Sequence, residues 1–341
     1  MKVKNGKLYL EHKGKAVEMD SRFKHVMAIS LDPRSGYREG VVRCITSRNG
    51  DVAIKGNVDR SVLCKTRGDF PEHFEIGEEL KIGGQKEIIE KLGGEEWDFI
   101  GLEDPDIWIE SPDIMHLYFT MPFLGIGKMK HKWRIHLGHA VGKNLDMLQM
   151  TEPALQESER SGGGAKELSV APVNKSGVRL NLIESSDKID DVWYSTVRIA
   201  RADDVGKPWQ FGKTVFHPKD GGIKWAGGHA SPGPLLSKNF IDVGEGKMLG
   251  IMNGREANKT VNGKVVYGVF SVGLFIYDYE NGKIDWVSPE PLIIDSEAKN
   301  ITFSSQFVEN GAGEGILYAH VDDSFVRAYT LFADQIKKLL P

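Results

Sequence analysis

Cysteine is nearly absent from this chain: two residues in 341, Cys44 and Cys64, with neither a Cys-x-x-Cys pair nor metal-site spacing. That excludes a disulfide scaffold and a zinc module, and the two are expected to be buried, reduced thiols. Long apolar runs are missing as well. No stretch approaches the roughly 18–20 residues of a membrane helix, and the first twenty residues lack the apolar segment of a secretory signal. The expectation is a chain that begins at Met1, stays in the cytoplasm and keeps no membrane partner. Nor is charge of one sign in excess: 44 Lys+Arg against 48 Asp+Glu leave a net charge of −4, which argues against nucleic acid as the partner. Proline is sparse at 14 residues and glycine is not at 39, without the strict period of a collagen.

Helical periodicity is the next thing in short supply. Short alternating or aromatic-rich runs recur from end to end, among them His116-Leu-Tyr-Phe-Thr, Val178-Arg-Leu-Asn-Leu-Ile, Val192-Trp-Tyr-Ser-Thr-Val and Gly268-Val-Phe-Ser-Val-Gly-Leu-Phe. Separated by Gly, Asp and Asn, they predict an all-β chain. Only the tail, 331–340, has apolar residues at helical spacing, and it predicts a short C-terminal helix.

A repeat is also present. Gly101-Leu-Glu-Asp-Pro-Asp-Ile-Trp, Lys166-Glu-Leu-Ser-Val-Ala-Pro and Gly228-His-Ala-Ser-Pro-Gly-Pro each place polar residues just before a strand, and Asp104, Glu167 and Ala230 follow one another at intervals of 63 residues. Ile301-Thr-Phe-Ser-Ser begins a further unit, and another precedes residue 100. Units of four strands and roughly 40–70 residues are those of a propeller blade. The prediction is therefore one five-bladed β-propeller domain over 1–341, with a pair of β-sandwiches as the rival. In a propeller the first strand of each blade lines the central channel, so Glu103, Asp104, Lys166, Glu167 and His229 would converge on one mouth. Alternation along a strand would let only one of Glu103 and Asp104 face a ligand.

At these residues the chain resembles glycoside hydrolase family 130, five-bladed β-propeller enzymes that hydrolyse or phosphorolyse β-mannosides. Gly101-Leu-Glu-Asp-Pro looks like that family's Gly-x-Glu-Asp-Pro-Arg signature. Similar stretches are Arg60-Ser-Val-Leu-Cys-Lys, Lys166-Glu-Leu-Ser-Val-Ala-Pro, Met252-Asn-Gly-Arg-Glu and Leu317-Tyr-Ala-His-Val-Asp-Asp. The resemblance implies Asp104 as the acid that protonates the leaving oxygen, Asp322 as a carboxylate holding sugar hydroxyls, and Lys166 as a phosphate contact. The chain departs from the family at Asp106, where an Arg is usual, at Asn253-Gly254 in place of His-Gly, and at Gly268, again for an Arg.

These losses of positive charge favour inverting hydrolysis over phosphorolysis, since a phosphate needs several cationic partners. A hydrolase requires a second carboxylate roughly 6.5–9.5 Å from the acid, and Glu167 and Glu256 are the candidates. Further expected substrate contacts are Glu103, His229, Asn253, Arg255, His320, Arg43 and Arg60, with His229 equally able to serve by holding its turn. The partner expected is an oligosaccharide, with inorganic phosphate as the alternative co-substrate, and a non-catalytic carbohydrate-binding propeller is the reading from a different class. No cofactor is expected, and no metal: His131, His136 and His139 lie too far apart or on opposite strand faces to share one. Trp108 and Trp225 could stack on sugar rings, although a strand Trp is more often core.

Overall fold

The computed structural model describes residues 7–158, 161–311 and 313–341. Strands dominate it, as the alternation predicts. They fall into five antiparallel groups in chain order. The first is Val26–Leu31, Glu39–Asn49, Val58–Asp69 and Glu72–Glu79. The second is Glu103–Ser111, Ile114–Gly125, Trp133–Gly142 and Gln149–Met150, with Trp97–Phe99 also on Ile114–Gly125. The third is Lys166–Ser169, Arg179–Ile189, Val192–Ala202 and Gln210–Phe216, and the fourth is His229–Leu235, Lys247–Arg255, Phe270–Asp278 and Lys283–Val287. A single parallel bridge, Ser195 to His229, links these two into one hydrogen-bonded sheet. The fifth is Thr302–Gly311, Glu314–Val321 and Phe325–Phe332, completed by the N-terminal strand Tyr9–Glu11.

One apolar core lies between each successive pair of groups. Leu63 meets Leu117 and Phe119, Leu137 meets Ile183, Val197 meets Met252 and Phe275, and Ile251 meets Leu317. The fifth group then returns to the first, where Tyr318 and Ala328 pack on Ile29, Val42, Cys44 and Cys64. The middle strands of each group thus bury both faces, which is why they read as continuous apolar runs, while the outer strands Glu72–Glu79, Gln210–Phe216 and Lys283–Val287 stay partly exposed. Both cysteines are buried and unbridged in the last of these cores.

The first strands of the groups meet around a common centre. The Ile107 amide donates to Ser30 Oγ (2.9 Å), Leu31 exchanges backbone bonds with the Gln306 amide (2.8 and 3.0 Å), and Ser169 Oγ donates to the Gly233 carbonyl. Three first strands carry the same irregularity, a register shift at a residue with positive φ: Ala28 (36°), Asp104 (47°) and Glu167 (47°). A bulge of this kind puts an extra residue into the strand and re-aims its side chain.

The helices differ from expectation. Leu331 and Phe332 stay in the last strand, where Leu331 pairs with Tyr9 and Gly315, so the tail is helical only over Ala333–Ile336, followed by a 3-10 turn at Lys337–Leu339. A second helix, Gln85–Gly93, was not visible in the periodicity; it buries only Leu92, too few apolar positions to register. Among the described residues no helix is long and apolar enough to cross a membrane.

Candidate active site

Gly101 is where the site begins. Its φ is 142°, and a Cβ there would stand 2.0 Å from the Ser61 carbonyl oxygen, so this signature position admits no side chain. The close approach brings Leu102 onto Ser61, whose Oγ donates to the Leu102 carbonyl at 3.0 Å and accepts from Arg43 Nε at 3.3 Å. Arg43, 6 % exposed, then forks: Nη1 donates to Asp104 Oδ1 at 2.9 Å and Nη2 to Glu103 Oε1 at 2.5 Å. Simple alternation would have separated these two carboxylates, and the bulge at Asp104 is what turns both onto one guanidinium. Both Glu103 and Asp104 therefore face the centre.

Glu167 occupies the equivalent bulge on the next first strand and hydrogen-bonds Asp104 through its carboxyl. Burial, the Asp104 charge and Glu184 push the Glu167 carboxyl well above the usual carboxylate range, against the pull of Lys166. Two carboxyls in contact cannot both ionise cheaply, and Glu167 is the one that keeps its proton. Burial likewise raises Glu103 to about 7, with Arg43 opposing and Asp104 adding to the rise.

A second cluster lies beside the first. Lys166 Nζ is 3.2 Å from Glu184 Oε1, and His229 Nε2 is 3.1 Å from Glu184 Oε2. Burial alone would raise Glu184, but His229 and Lys166, with hydrogen bonds from His229 and Ser195, hold it far below the ordinary range. Burial lowers His229, so at neutral pH it is uncharged and donates Nε2–H to an ionised Glu184. Burial would lower Lys166 too, yet Glu184, Glu167, Asp104 and Glu103 outweigh it and keep the ammonium charged. A third of the Lys166 side chain still meets solvent, so the cluster is open to a ligand.

Arg255 pairs in register with His229 and donates to the Gly228 carbonyl (3.4 Å), while its buried Nε has no partner among the described residues. Its guanidinium lies 4.4 Å from the Tyr267 ring and 5.3 Å from Phe270. Tyr267 is itself tied down, because its amide donates to Ala53 O at 2.9 Å where the hairpin Lys259–Val261/Lys264–Val266 reaches the loop before Val58.

Several expected residues are elsewhere. Asn253 is fully buried and spends its amide on Ser304, binding the fourth group to the fifth. Arg60 turns outward to Asp98 and the Phe99 carbonyl. Glu256 pairs loosely with Lys259 (3.7 Å) on the hairpin and touches none of the central charges. The carboxylate of Asp322 accepts the amides of Lys299, Asn300 and Ile301 and closes that loop; its neighbour Asp323 bonds His320 (3.1 Å) and feels Arg43 instead. His320 also accepts the Ala28 amide and stacks on Phe303, so it braces the first strand. Trp108 lies under Arg179, and Trp225 is core, donating to the Ser288 carbonyl. His139 bonds His116 and Thr151, and His136 accepts the Glu157 amide; among the described residues no cluster of three metal-ligating side chains occurs. Glu184 and Asp323 were missed from the sequence. The former had a signal, a lone acid directly after Leu180-Asn-Leu-Ile183 in a strand-like stretch, where a buried charge demands a partner.

Asp106, standing where the resembled family has an Arg, faces Tyr118 and has no opposing charge; burial pushes its carboxyl up to about 7 from 3.8. The folded state therefore binds more protons than the unfolded chain between those values, and stability falls as pH rises through them. Asp106→Asn is expected to match the wild type in urea unfolding at pH 3.5 and exceed it by roughly 2 kcal/mol at pH 8.

No family model matches this chain, and no curated protein is similar to it in sequence. Solved structures are similar in fold. A β-1,2-mannobiose phosphorylase from Listeria innocua aligns at 12 % identity over 98 % of this chain and 91 % of its own, with a TM-score of 0.60. A mannose phosphorylase from Leishmania mexicana, solved with a phosphate ion, aligns at 13 % identity over 97 % and 91 %, with 0.55. An endo-arabinase from Bacteroides thetaiotaomicron aligns at 14 % over 94 % and 98 %, with 0.53. The chain has the fold of these carbohydrate-active enzymes along nearly its whole length, and the family resemblance in the sequence holds at the level of fold.

Proposed function

We propose that this protein is a single five-bladed β-propeller that cleaves the glycosidic bond of a β-linked mannoside or related oligosaccharide. Five cores linking five groups of four or five strands in a closed cycle support the blade count. The arrangement that carries the chemistry is the Glu167 carboxyl hydrogen-bonded to Asp104, which keeps a proton where a leaving oxygen can take it. Arg43 orients the pair, and Glu103 and Asp323 add hydrogen-bond acceptors for sugar hydroxyls.

Phosphorolysis is the form of this reaction the charges favour. The inverting hydrolase anticipated above needs a free basic carboxylate well away from the acid. Glu167 touches Asp104, Glu103 is bound to Arg43, and Glu184 is clamped by Lys166 and His229 at a basicity too low for an effective base. Inorganic phosphate needs no base, and the Lys166 ammonium and the Arg255 guanidinium, whose Nε has no partner among the described residues, supply positive charge in place of that lost at 106, 253 and 268. An oxygen of phosphate would attack the anomeric carbon as the pair protonates the leaving oxygen, giving an inverted sugar 1-phosphate. Hydrolysis is the second reading, and it would need one of these carboxylates released from its partner to act as the base.

Incubating the protein with β-linked manno-oligosaccharides with and without inorganic phosphate decides. Sugar 1-phosphate formed only with phosphate is the expected result; free sugar at the same rate without phosphate establishes hydrolysis, and binding without turnover leaves a carbohydrate-binding propeller.

A further inference from the structure

The hairpin joining Arg179–Ile189 to Val192–Ala202 rises past the end of its inner neighbour. Lys166–Ser169 stops at the pair Lys166–Glu184, while the hairpin ladder continues without a register shift through Ser186–Ser195 and Lys188–Trp193 to Ile189–Val192. Its turn is two residues, Asp190 (φ 49°) and Asp191 (φ 62°), the left-handed pair of a tight type I′ turn whose twist matches the strands. Lys188 pairs with Asp191 and Lys219 with Asp190, both at 2.8 Å, and Tyr194 packs on His217 at 5.0 Å from the other face. The tip is therefore braced.

On that braced tip Trp193 is 58 % exposed, and among the described residues no ring or cation packs on it. Leaving so large an apolar plane in water on an ordered strand forgoes the burial that usually fixes a tryptophan. Its position gives the exposure a use. Side chains two apart on a strand share a face, so Val197, Ser195 and Trp193 point the same way. Ser195 bonds Glu184 in the candidate site and bridges to His229. Trp193 is one strand repeat farther out, about 6.6 Å along the chain. The segment leading to His229 on that side is Gly227-Gly228, which raises no side chain to cover the indole.

We propose that Trp193 is a distal subsite, a stacking platform for a sugar ring beyond the one held at Glu184 and Lys166, and that the substrate is accordingly an oligosaccharide of three or more units. The inference rests on the glycoside-cleaving reading. Pyranose C–H faces suit an aromatic plane, and an indole on a stiff hairpin loses little freedom when it stacks. The platform binds substrate without touching the reacting atoms, so it governs chain-length preference and leaves the chemistry alone.

Affinities for β-linked manno-oligosaccharides of two to five units, measured by calorimetry on Asp104→Asn and on Asp104→Asn/Trp193→Ala, test it, with turnover of the same series by the wild type and Trp193→Ala. The expected result is an affinity that rises from two units to three or four in the first protein, about tenfold, and stays flat in the second, while Trp193→Phe keeps most of the rise. Equal chain-length dependence with and without Trp193, or no binding of any member, overturns the platform. Cleavage of the series by the wild type with no length-dependent effect of Trp193→Ala removes the platform and leaves the cleavage reading standing. Length-dependent binding through Trp193 without turnover or sugar 1-phosphate leaves the platform and removes the cleavage reading.

Discussion

Asp104→Asn is expected to lower kcat on a manno-oligosaccharide by about 10²–10⁴, the range a positioned general acid supplies, while leaving the fold and the sugar affinity nearly intact. Asn keeps the shape and still accepts from Arg43, but the pair with Glu167 no longer presents a transferable proton next to the leaving oxygen. The loss should depend on the leaving group: an aryl mannoside whose phenol departs without protonation should recover most of its rate in Asp104→Asn. Glu167→Gln should cost activity by a comparable route, and because the two carboxyls are in direct contact and act as a unit, the double variant should be little worse than the more damaged single one. Additive losses, or equal losses on natural and activated substrates, would show that Asp104 acts by binding alone. The wild-type rate should fall on the alkaline side as the raised Glu167 proton is lost.

Removing Arg43 is expected to be the most damaging single change to stability. Arg43→Met leaves Glu103 and Asp104 facing each other with their shared cation gone, at side-chain exposures of 15 % and 9 %. Breaking a buried ion pair from one side costs about 3–5 kcal/mol, because the remaining charges keep their desolvation penalty and lose their attraction. The penalty has a pH sign. Without the guanidinium only Lys166 is left to oppose the rise of Glu103, which already stands near 7, so the folded state holds protons the unfolded chain releases and the destabilisation grows with pH. Urea midpoints at pH 5 and pH 8 check this, with the larger deficit at pH 8. Adding Glu103→Gln and Asp104→Asn to Arg43→Met should recover much of the loss, since removing both sides of a buried pair is nearly neutral. A midpoint unchanged by Arg43→Met at both pH values would falsify the account of this triad.

The amino-acid sequence by itself determined the strand content, the repeat and the order of the polar strand starts. These are written in short-range patterns: alternation, turn residues, and a glycine at 101 where the backbone of Ser61 leaves no space for a Cβ. It also marked Glu103, Asp104, Lys166, Glu167 and His229, each at the beginning of a first strand, and the structure brings all five together. Only the tertiary structure decided what each does. Alternation placed Glu103 and Asp104 on opposite faces, and a bulge, which adds one residue and leaves no fixed signature, put them on one arginine. Asp322 and Asp323 are adjacent and chemically alike; which of them closes a loop and which reaches Arg43 depends on a turn at 321–325 and on the amides of 299–301, residues remote in sequence. Asn253, Arg60 and Glu256 were candidates by position, and packing assigned them to other partners. Glu184, Arg255 and Trp193 belong to second and third strands, whose side chains reach the centre or its rim only after five groups close on one another. The contact of Asp104 with Glu167, the positive side of the site and the exposed indole are properties of distance between strands far apart in the chain, and no local pattern encodes that distance.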